Sequence, residues 1–248
     1  MENLTGLPAW ELGVLGIHNP TLVPLKPYFE KVKESIEKVD GDIVELGVWR
    51  GASLLTTALI LKNNKSTKKV HGFDTFEGFP LKSTFDEFKL FEEYFRKGEI
   101  DEEHILNVRK NEKLLASLER STDYNRISTS ADFSQTSLNL VTNKAALLNI
   151  EEYIVLNKQD IISMNPNLLP ERISIALIDL DLYEGYEYSL PLIWSRLSNG
   201  GIIYLDEYYS LKFPGPFKAV RNFCDAYKVE VEQVSNWLDF PRYILKKN

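Results

Sequence analysis

The sequence predicts an α/β fold in which a mostly parallel sheet carries helices on both faces. Short apolar runs alternate with segments of helical periodicity along the 248 residues, an order typical of parallel sheets. Nearly every apolar run also ends in or beside an acidic residue. Because ligands of open parallel sheets bind beyond the carboxyl ends of the strands, these acids indicate a binding site at one edge. The runs are residues 43–46, 69–73, 153–156, 173–178 and 201–205, and the acids are Glu45, Asp74, Asp160, Asp179 and Asp206.

The first unit of this pattern is a helix, a strand, a glycine loop and a second helix. Apolar residues within 28–39 recur every three and four positions, which predicts a helix. The pair Asp40-Gly41 predicts a turn before the first strand. Two glycines in residues 47–51 then precede the apolar run 54–61. The order of strand, glycine loop and helix is Rossmann-like.

Residues 78–126 interrupt the pattern with a charged, aromatic and helical stretch. We interpret it as an inserted helical lid, because about 50 residues is much longer than the usual crossover. An ordinary crossover helix with a long loop is the alternative. Residues 1–40 form a helical lead-in, and residues 229–234 and 242–245 predict a closing hairpin. The length suits a single domain over residues 1–248.

The composition limits the kinds of partner and the location expected for the protein. A net charge of −7, from 29 basic and 36 acidic residues, argues against nucleic acid, whose partners concentrate positive charge. The chain shows neither a secretory signal nor an apolar stretch of membrane-spanning length, so we expect a soluble, cytoplasmic protein. The single cysteine, Cys224, excludes an intrachain disulfide, and its predicted amphipathic helix at 219–227 favours a buried thiol.

The glycine loop and the acids around it indicate the kind of cofactor. A dinucleotide fingerprint is G-x-G-x-x-G with an acid about 20 residues later. Here Gly47 and Gly51 are four apart, and Asp74 follows Gly47 by 74 − 47 = 27 residues, which disfavours NAD. Glu45 would repel a pyrophosphate but suits an ammonium group.

Asp74 can accept the hydroxyls of a ribose, and an adenosine joined to an amino acid is S-adenosylmethionine. The alternatives are a surface strand-end carboxylate at Glu45 and a helix N-cap at Asp74. Asp160 could accept from the adenine amino group. The predicted cofactor-binding residues are Glu45, Gly47, Trp49, Gly51, Ser53, Asp74, Phe76 and Asp160.

A second acidic cluster follows the later strands. Asp179 and Asp181 are two residues apart, so an extended chain would point both carboxylates to one side. Asp206 and Glu207 end the neighbouring strand. Four converging acids would repel one another without a cation, and oxygen ligands indicate a hard one such as Mg²⁺ or Mn²⁺. Helix caps or lid salt bridges are the alternative roles.

Four sequence blocks, in order, resemble the macrocin O-methyltransferase family, also called TylF-like. They are DIVELGVWRG at 42–51, DTFEGFP at 74–80, DLDLYE at 179–184, and SNGG at 198–201 leading to DEY at 206–208. The resemblance implies a class I methyltransferase fold with S-adenosylmethionine as donor and sugar hydroxyls as acceptors. It also implies Mg²⁺ on Asp179, Asp206 and Glu207, with Asp181 in the place of the proposed general base.

The chain departs from the family at two positions. Leu180 stands where the family commonly has glycine, and Glu207 stands where it has a second aspartate. The extra methylene of Glu207 could change the metal distance or the metal chosen. The acceptor-contacting part of the lid has no matching residues, so the resemblance does not specify the acceptor.

These observations predict a metal-dependent O-methyltransferase of a sugar-like vicinal diol, in which Asp181 takes the proton. A catechol-like phenol is the alternative acceptor. His18, His71 and His104 are rival bases, with His71 placed in a strand and His104 in the lid. The small-molecule acceptor is the expected partner, and lead-in and lid helices could supply a homo-oligomer contact.

Two other classes of protein share parts of the pattern. An oxidoreductase would need the tighter glycine fingerprint, although Tyr208 and Lys212 have the Tyr-x-x-x-Lys spacing of some of these enzymes. A non-catalytic nucleoside-binding module would retain the cofactor pocket without turnover. Acids after every strand favour an enzyme over such a module.

Overall fold

The computed structural model describes residues 3–80, 83–118, 133–237 and 240–248. Within these ranges one sheet has the strand order β3-β2-β1-β4-β5-β7-β6. The first five strands pair in parallel, and β7 is antiparallel to both β5 and β6. The strands are β1 Asp42–Leu46, β2 Val70–Asp74, β3 Ile154–Lys158, β4 Ile173–Ile178, β5 Leu197–Leu205, β6 Val231–Trp237 and β7 Phe240–Lys246. The predicted fold class is confirmed.

Helices cover both faces of this sheet, as the apolar strands predicted. Alternate side chains of β4 enter two different cores: Ile175 and Leu177 one, Ala176 and Ile178 the other. The first core packs against α2 and α3, and the second against α7 and α8. The helices are α1 Ala9–Leu15, α2 Lys26–Lys38, α3 Ala52–Asn63, α4 Leu90–Arg96, α5 Glu102–Ser117, α6 Leu138–Leu148, α7 Tyr183–Arg196 and α8 Gly215–Tyr227.

Predicted and observed boundaries differ in ways that have local causes. The helix predicted at 28–39 begins earlier, at Lys26, because Pro27 in the first turn has a backbone suited to a helix start. Strand β5 begins at Leu197, before the predicted residue 201, and its pairing with β4 shifts register along the way. The predicted closing hairpin is confirmed as β6 and β7. Cys224 lies on α8 but is half-buried rather than buried.

The segment predicted as a lid contains α4, α5 and a short 3₁₀ turn at Thr84–Asp86. Phe91 and Tyr94 of α4 and Ile105 of α5 form a separate apolar cluster with Phe217 of α8. The segment is therefore fastened to the body of the protein by aromatic packing. The part of the predicted lid at residues 119–126 lies outside the described residues.

Membrane insertion through a helix finds no support in the described ranges. None of their helices is both long enough and apolar enough to cross a bilayer.

Candidate functional site

A cavity of about 390 Å³ opens at the carboxyl ends of the strands. It lies beside the neighbouring strands β1 and β4, where the order of the strands in the sheet reverses direction. Ligands of such sheets bind at this reversal point. Its wall includes nine of the predicted site residues: Gly47, Trp49, Ser53, Asp74, Asp160, Asp179, Asp181, Asp206 and Glu207. The structure thus brings the predicted cofactor loop and the predicted acidic cluster into one cavity.

Gly47 is required by a close approach between two strands. Its φ of +90° is in the region that favours glycine. A Cβ atom there would lie 1.9 Å from the backbone oxygen of Asp179. The loop after β1 can therefore pass the end of β4 only if residue 47 has no side chain. Gly47 and Asp179, which meet at this close approach, both line the cavity.

Asp74 fixes the shape of the same loop from the end of β2. Its Oδ2 accepts the backbone N–H groups of Val48 and Trp49 at 2.7 and 2.8 Å. Its Oδ1 accepts the N–H of Phe76 at 2.5 Å in the turn that follows β2. Among the described residues no helix begins at this turn, so Asp74 is not the helix N-cap that was its alternative role. A carboxylate has about four acceptor sites, so one is left on Oδ1 for a ligand hydroxyl rather than the two expected for a ribose.

Glu45 lies behind the loop and is fully buried. The Ser53 hydroxyl donates to its Oε1 at 2.7 Å, at the start of α3. Its Oε2 makes no hydrogen bond to any described residue. Burial raises the pKa of the Glu45 carboxyl to about 8. A surface carboxylate is thus the wrong interpretation of Glu45, and its contact with a ligand ammonium stays a prediction.

Gly51 and Phe76, like Glu45, are not among the described residues that line the cavity. Gly51 takes a φ of +80° as the N-cap of α3, and Phe76 packs in the first core. Trp49, by contrast, lines the cavity, and its ring meets the edge of Phe133 at 5.4 Å. Phe133 contacts Phe79 at 4.8 Å in turn. One side of the cavity is therefore aromatic.

The acidic side of the cavity is formed by turns after β4 and β5. Burial and mutual repulsion raise the pKa values of Asp179, Asp181 and Glu207 above the ordinary range. Oδ1 of Asp206 is buried without a hydrogen bond from any described residue and lies 3.5 Å from a guanidinium nitrogen of Arg242. The cluster is thus only partly neutralised by protein cations.

The predicted reason for the pairing of Asp179 and Asp181 is wrong. The chain is not extended there, because β4 ends at Ile178 and Asp181 has a φ of +58°. The Leu182 N–H donates to the Leu180 carbonyl at 2.6 Å, which closes a tight turn around Asp181. Both carboxylates nevertheless line the cavity.

The donor set is compatible with a hard divalent cation in chemistry but not yet in geometry. All four acidic side chains offer oxygen, and the buried Oδ1 of Asp206 accepts no hydrogen bond from a described residue, although it lies 3.5 Å from Arg242. In the described part of the chain, however, no three Asp, Glu, His or Cys side chains converge closely enough to hold a metal ion.

The three histidines have separate positions. His18 lines the cavity, and burial lowers its pKa despite the nearby charge of Asp206. His71 lies on β2, as predicted, and contacts Asp42 at 3.0 Å. His104 lies on α5 with its ring 3.9 Å from that of Tyr209, and burial lowers its pKa to about 4.

Sequence reasoning named His18 only as a rival base and did not predict Thr75, Glu184, Lys212 or Arg242 as site residues, although all five polar residues line the cavity. Arg242 reaches the cavity because β7 pairs with β5, and it donates to the backbone oxygen of Asp206 at 3.0 Å. The predicted hairpin could have indicated the position of Arg242, because it places β7 beside the other strands. No local pattern indicates that the lead-in brings His18 to the cavity.

This sheet order, with a ligand-sized cavity at its reversal point, defines a Rossmann-like protein of the class I methyltransferase type. A family model described as a methyltransferase domain matches residues 44–208. The match spans more than half of the chain, which therefore belongs to this family. Among curated protein sequences, none is significantly similar to the chain.

Solved structures share the fold at low sequence identity. The O-methyltransferase NovP has a TM-score of 0.62 at 18% identity, covering 90% of this chain and 80% of NovP. CalS11, a calicheamicin methyltransferase, has a TM-score of 0.63 at 20% identity, covering 98% and 88%. The SAH-bound methyltransferase PaMTH1 of Podospora anserina has a TM-score of 0.55 at 11% identity, covering 100% and 89%.

Proposed function

We propose that the protein is an S-adenosylmethionine-dependent O-methyltransferase that acts on a hydroxyl group of a sugar. One observation carries this proposal: the loop clamped by Asp74 and the four-acid cluster line the same cavity. The methyltransferase family and the TylF-like sequence blocks support the donor. The name of one structural neighbour, CalS11, describes it as a TDP-rhamnose 3'-O-methyltransferase, which supports the class of acceptor.

The loop side of the cavity would bind the cofactor. Asp74 offers its remaining acceptor site to a ribose hydroxyl, and Asp160 lies beyond β3 for the adenine. Gly47, Trp49 and Ser53 would flank the amino-acid end, with Glu45, Gly51 and Phe76 shaping the loop from behind. S-adenosylmethionine supplies, when bound, a methyl group on a sulfonium.

The acidic side would prepare the acceptor. We assign Asp181 as the group that removes the hydroxyl proton, because it lines the cavity next to Asp179 on a sharply turned backbone. Asp179, Asp206 and Glu207 would hold Mg²⁺ or Mn²⁺, which lowers the pKa of a bound hydroxyl. His18 is the alternative base, since it lines the same cavity.

A catechol-like phenol is a second candidate acceptor. The aromatic side formed by Trp49, Phe79 and Phe133 could stack on a phenolic ring as well as on the apolar face of a sugar. An NAD-dependent oxidoreductase is disfavoured by the methyltransferase family, and a non-catalytic binding module would bind cofactor without turnover. Homo-oligomer formation and a cytoplasmic location stay predictions from the sequence.

The test is methyl transfer from radiolabelled S-adenosylmethionine to a panel of nucleotide sugars, simple glycosides and catechols, with Mg²⁺, Mn²⁺ or EDTA. Labelled sugar with a divalent cation supports the proposal, and labelled catechol alone favours the second candidate. Binding of the cofactor without any transfer to either class would favour the binding module.

A further inference from the structure

Three distant parts of the chain meet at the start of α7. Oδ1 of Asp86, in the inserted segment, accepts the backbone N–H of Tyr183 at 2.8 Å. Tyr183 is the first residue of α7, and the N-cap residue Leu182 has an apolar side chain that cannot accept this bond. Asp86 therefore caps α7 from a position 97 residues earlier in the sequence.

The carboxylate of Asp86 is held in one orientation by its own turn. Its Oδ2 accepts the backbone N–H of Ser83 at 2.9 Å and the Ser83 hydroxyl at 3.2 Å. Phe85, within the same 3₁₀ turn, lies with its ring 4.4 Å from that of Tyr183. The turn and the start of α7 are thus joined by one hydrogen bond and one aromatic pair.

The third part is Gly215, the first residue of α8. A Cβ atom there would lie 2.1 Å from Oδ1 of Asp86 and 2.8 Å from the backbone nitrogen of Tyr183. The φ of Gly215 is not in the left-handed region, so an alanine would suit the backbone. Space alone excludes a side chain, because the hydrogen bond between Asp86 and Tyr183 occupies it.

The junction lies next to the turn that carries the assigned base. Only Leu182 separates Asp181 from Tyr183, and Leu182 is 2% exposed in a cluster with Leu115 of α5 and Phe213. The φ of Asp181 is uncommon for a residue other than glycine, although Asp and Asn tolerate it better than most, and such conformations depend on the surroundings that hold them. The start of α7 and the inserted segment pack directly beside this turn.

We propose that Asp86 is a positioning residue whose hydrogen bond to Tyr183, seated against Gly215, holds the turn at residues 179–182 in the shape that the reaction needs. The inference rests on the proposed function for the role of Asp181. It makes the inserted segment part of the active-site framework, because its attachment fixes the backbone beside the acidic cluster.

Two variants disturb the junction from different sides. Asp86→Ala removes the acceptor, whereas Gly215→Ala keeps the acceptor and displaces it. Ser83→Ala is the matched control, since it removes the hydroxyl bonds within the turn and leaves the bond from Tyr183 to Asp86. Asp86→Asn is a partial replacement, because its amide oxygen can accept from Tyr183 while its –NH2 group would face the backbone N–H of Ser83 and cannot accept from it.

Amide hydrogen exchange, measured on the protein bound to S-adenosylhomocysteine, reports directly how well the backbone of this turn is protected in each variant. Asp86→Ala and Gly215→Ala should each speed exchange at residues 180–184 by about tenfold or more, with exchange at residues 188–196 within about twofold of wild type. Ser83→Ala should resemble wild type, and Asp86→Asn should give exchange between those of wild type and Asp86→Ala. With an acceptor from the panel, kcat should fall while the KM for S-adenosylmethionine is unchanged.

Unchanged exchange at 180–184 in both disruptive variants would overturn the proposal. Equal acceleration along the whole of α7 would also overturn it, since the junction would then be a general stabilising contact. If the wild-type protein fails to bind S-adenosylhomocysteine, the proposed function fails. The exchange experiment on the ligand-free protein then still decides whether Asp86 holds the turn.

Discussion

Oδ2 of Asp74 lies 2.7 Å from the backbone nitrogen of Val48, so the end of the second strand holds the loop that follows the first. The same carboxylate retains one acceptor site toward the cavity. The same side chain therefore fixes the shape of the loop and is expected to bind the cofactor. For variants of this region, both the stability of the fold and the affinity for the cofactor should be measured.

Replacement of Gly47 by alanine should destabilise the fold strongly. The new Cβ would lie 1.9 Å from the Asp179 carbonyl oxygen at a φ of +90°, and steric strain of this kind costs about 3 kcal/mol or more. Urea unfolding of Gly47→Ala measures the loss. Gly13→Ala is the control, since that helical position has no atom within 4 Å among the described residues and should be neutral or slightly stabilising. Equal stability of the two variants would contradict the close approach.

Ionisation of the Glu45 carboxyl should lower the free energy of unfolding of the protein as the pH rises. Its pKa in the fold, about 8, is raised above the ordinary 4.5, so the folded state binds the proton more tightly than the unfolded state. The stabilising contribution is fully present below pH 4.5 and is lost as the pH passes through about 8.

Urea unfolding of wild type and Glu45→Gln between these pH values isolates this effect. The amide introduced by the substitution would still accept from Ser53 but would not titrate, so the stability of the variant should fall less steeply with rising pH. The raised carboxyls of Asp181 and Glu207 are present in both proteins. The charge of Glu45 also helps to raise the pKa of Asp179, so the difference between the profiles includes that smaller coupled effect. Parallel profiles would show that Glu45 does not carry the predicted shift.

Asp181→Asn should separate binding from chemistry. Asparagine keeps the size of the side chain and tolerates the positive φ, so the affinity for S-adenosylhomocysteine should be unchanged. Turnover should fall about 100-fold or more, the usual loss when a general base is removed. Steady-state kinetics with an acceptor from the panel measures this. Near-normal turnover would remove Asp181 as the base and direct attention to His18, whose replacement by asparagine is the next comparison.

A divalent cation should raise the melting temperature of the protein. Binding only to the folded state stabilises it by mass action, and a cation would also relieve the repulsion among the buried carboxylates. Differential scanning fluorimetry with Mn²⁺ or Mg²⁺, against NaCl of equal ionic strength, gives the shift. The double variant Asp206→Asn, Glu207→Gln should lose it, and an equal shift in wild type and variant would place the cation elsewhere.

The sequence predicted the strands and the gathering of their acids because both depend on local pattern and parallel topology. Strand β4 is apolar on both faces, and the ends of β4 and β5 necessarily meet at one edge. The surface alternative for Glu45 was wrong because Glu45 is the second-last residue of β1, where its side chain is on the same face as Ile43 and is fully buried.

Other parts of the site depend on contacts that no local pattern encodes. The cap from Asp86 to α7 joins residues 97 positions apart, and His18 reaches the wall from the lead-in before α2. Asp181 has a left-handed backbone in a turn after β4 that a backbone hydrogen bond from Leu182 to Leu180 closes, and its position two residues from Asp179 does not reveal this turn. Packing between distant elements decides these positions, so spacing could not predict them.

Isothermal titration with S-adenosylhomocysteine tests the central claim most directly. Wild-type protein should bind with a Kd in the micromolar range, and Asp74→Ala should lose the binding because the loop clamp and the acceptor for the ribose are both removed. Glu77→Ala changes an exposed residue in the loop after β2, whose carboxylate pairs with Lys158, and this variant should bind like wild type. No binding by the wild-type protein would contradict the account and return the cavity to another class of ligand.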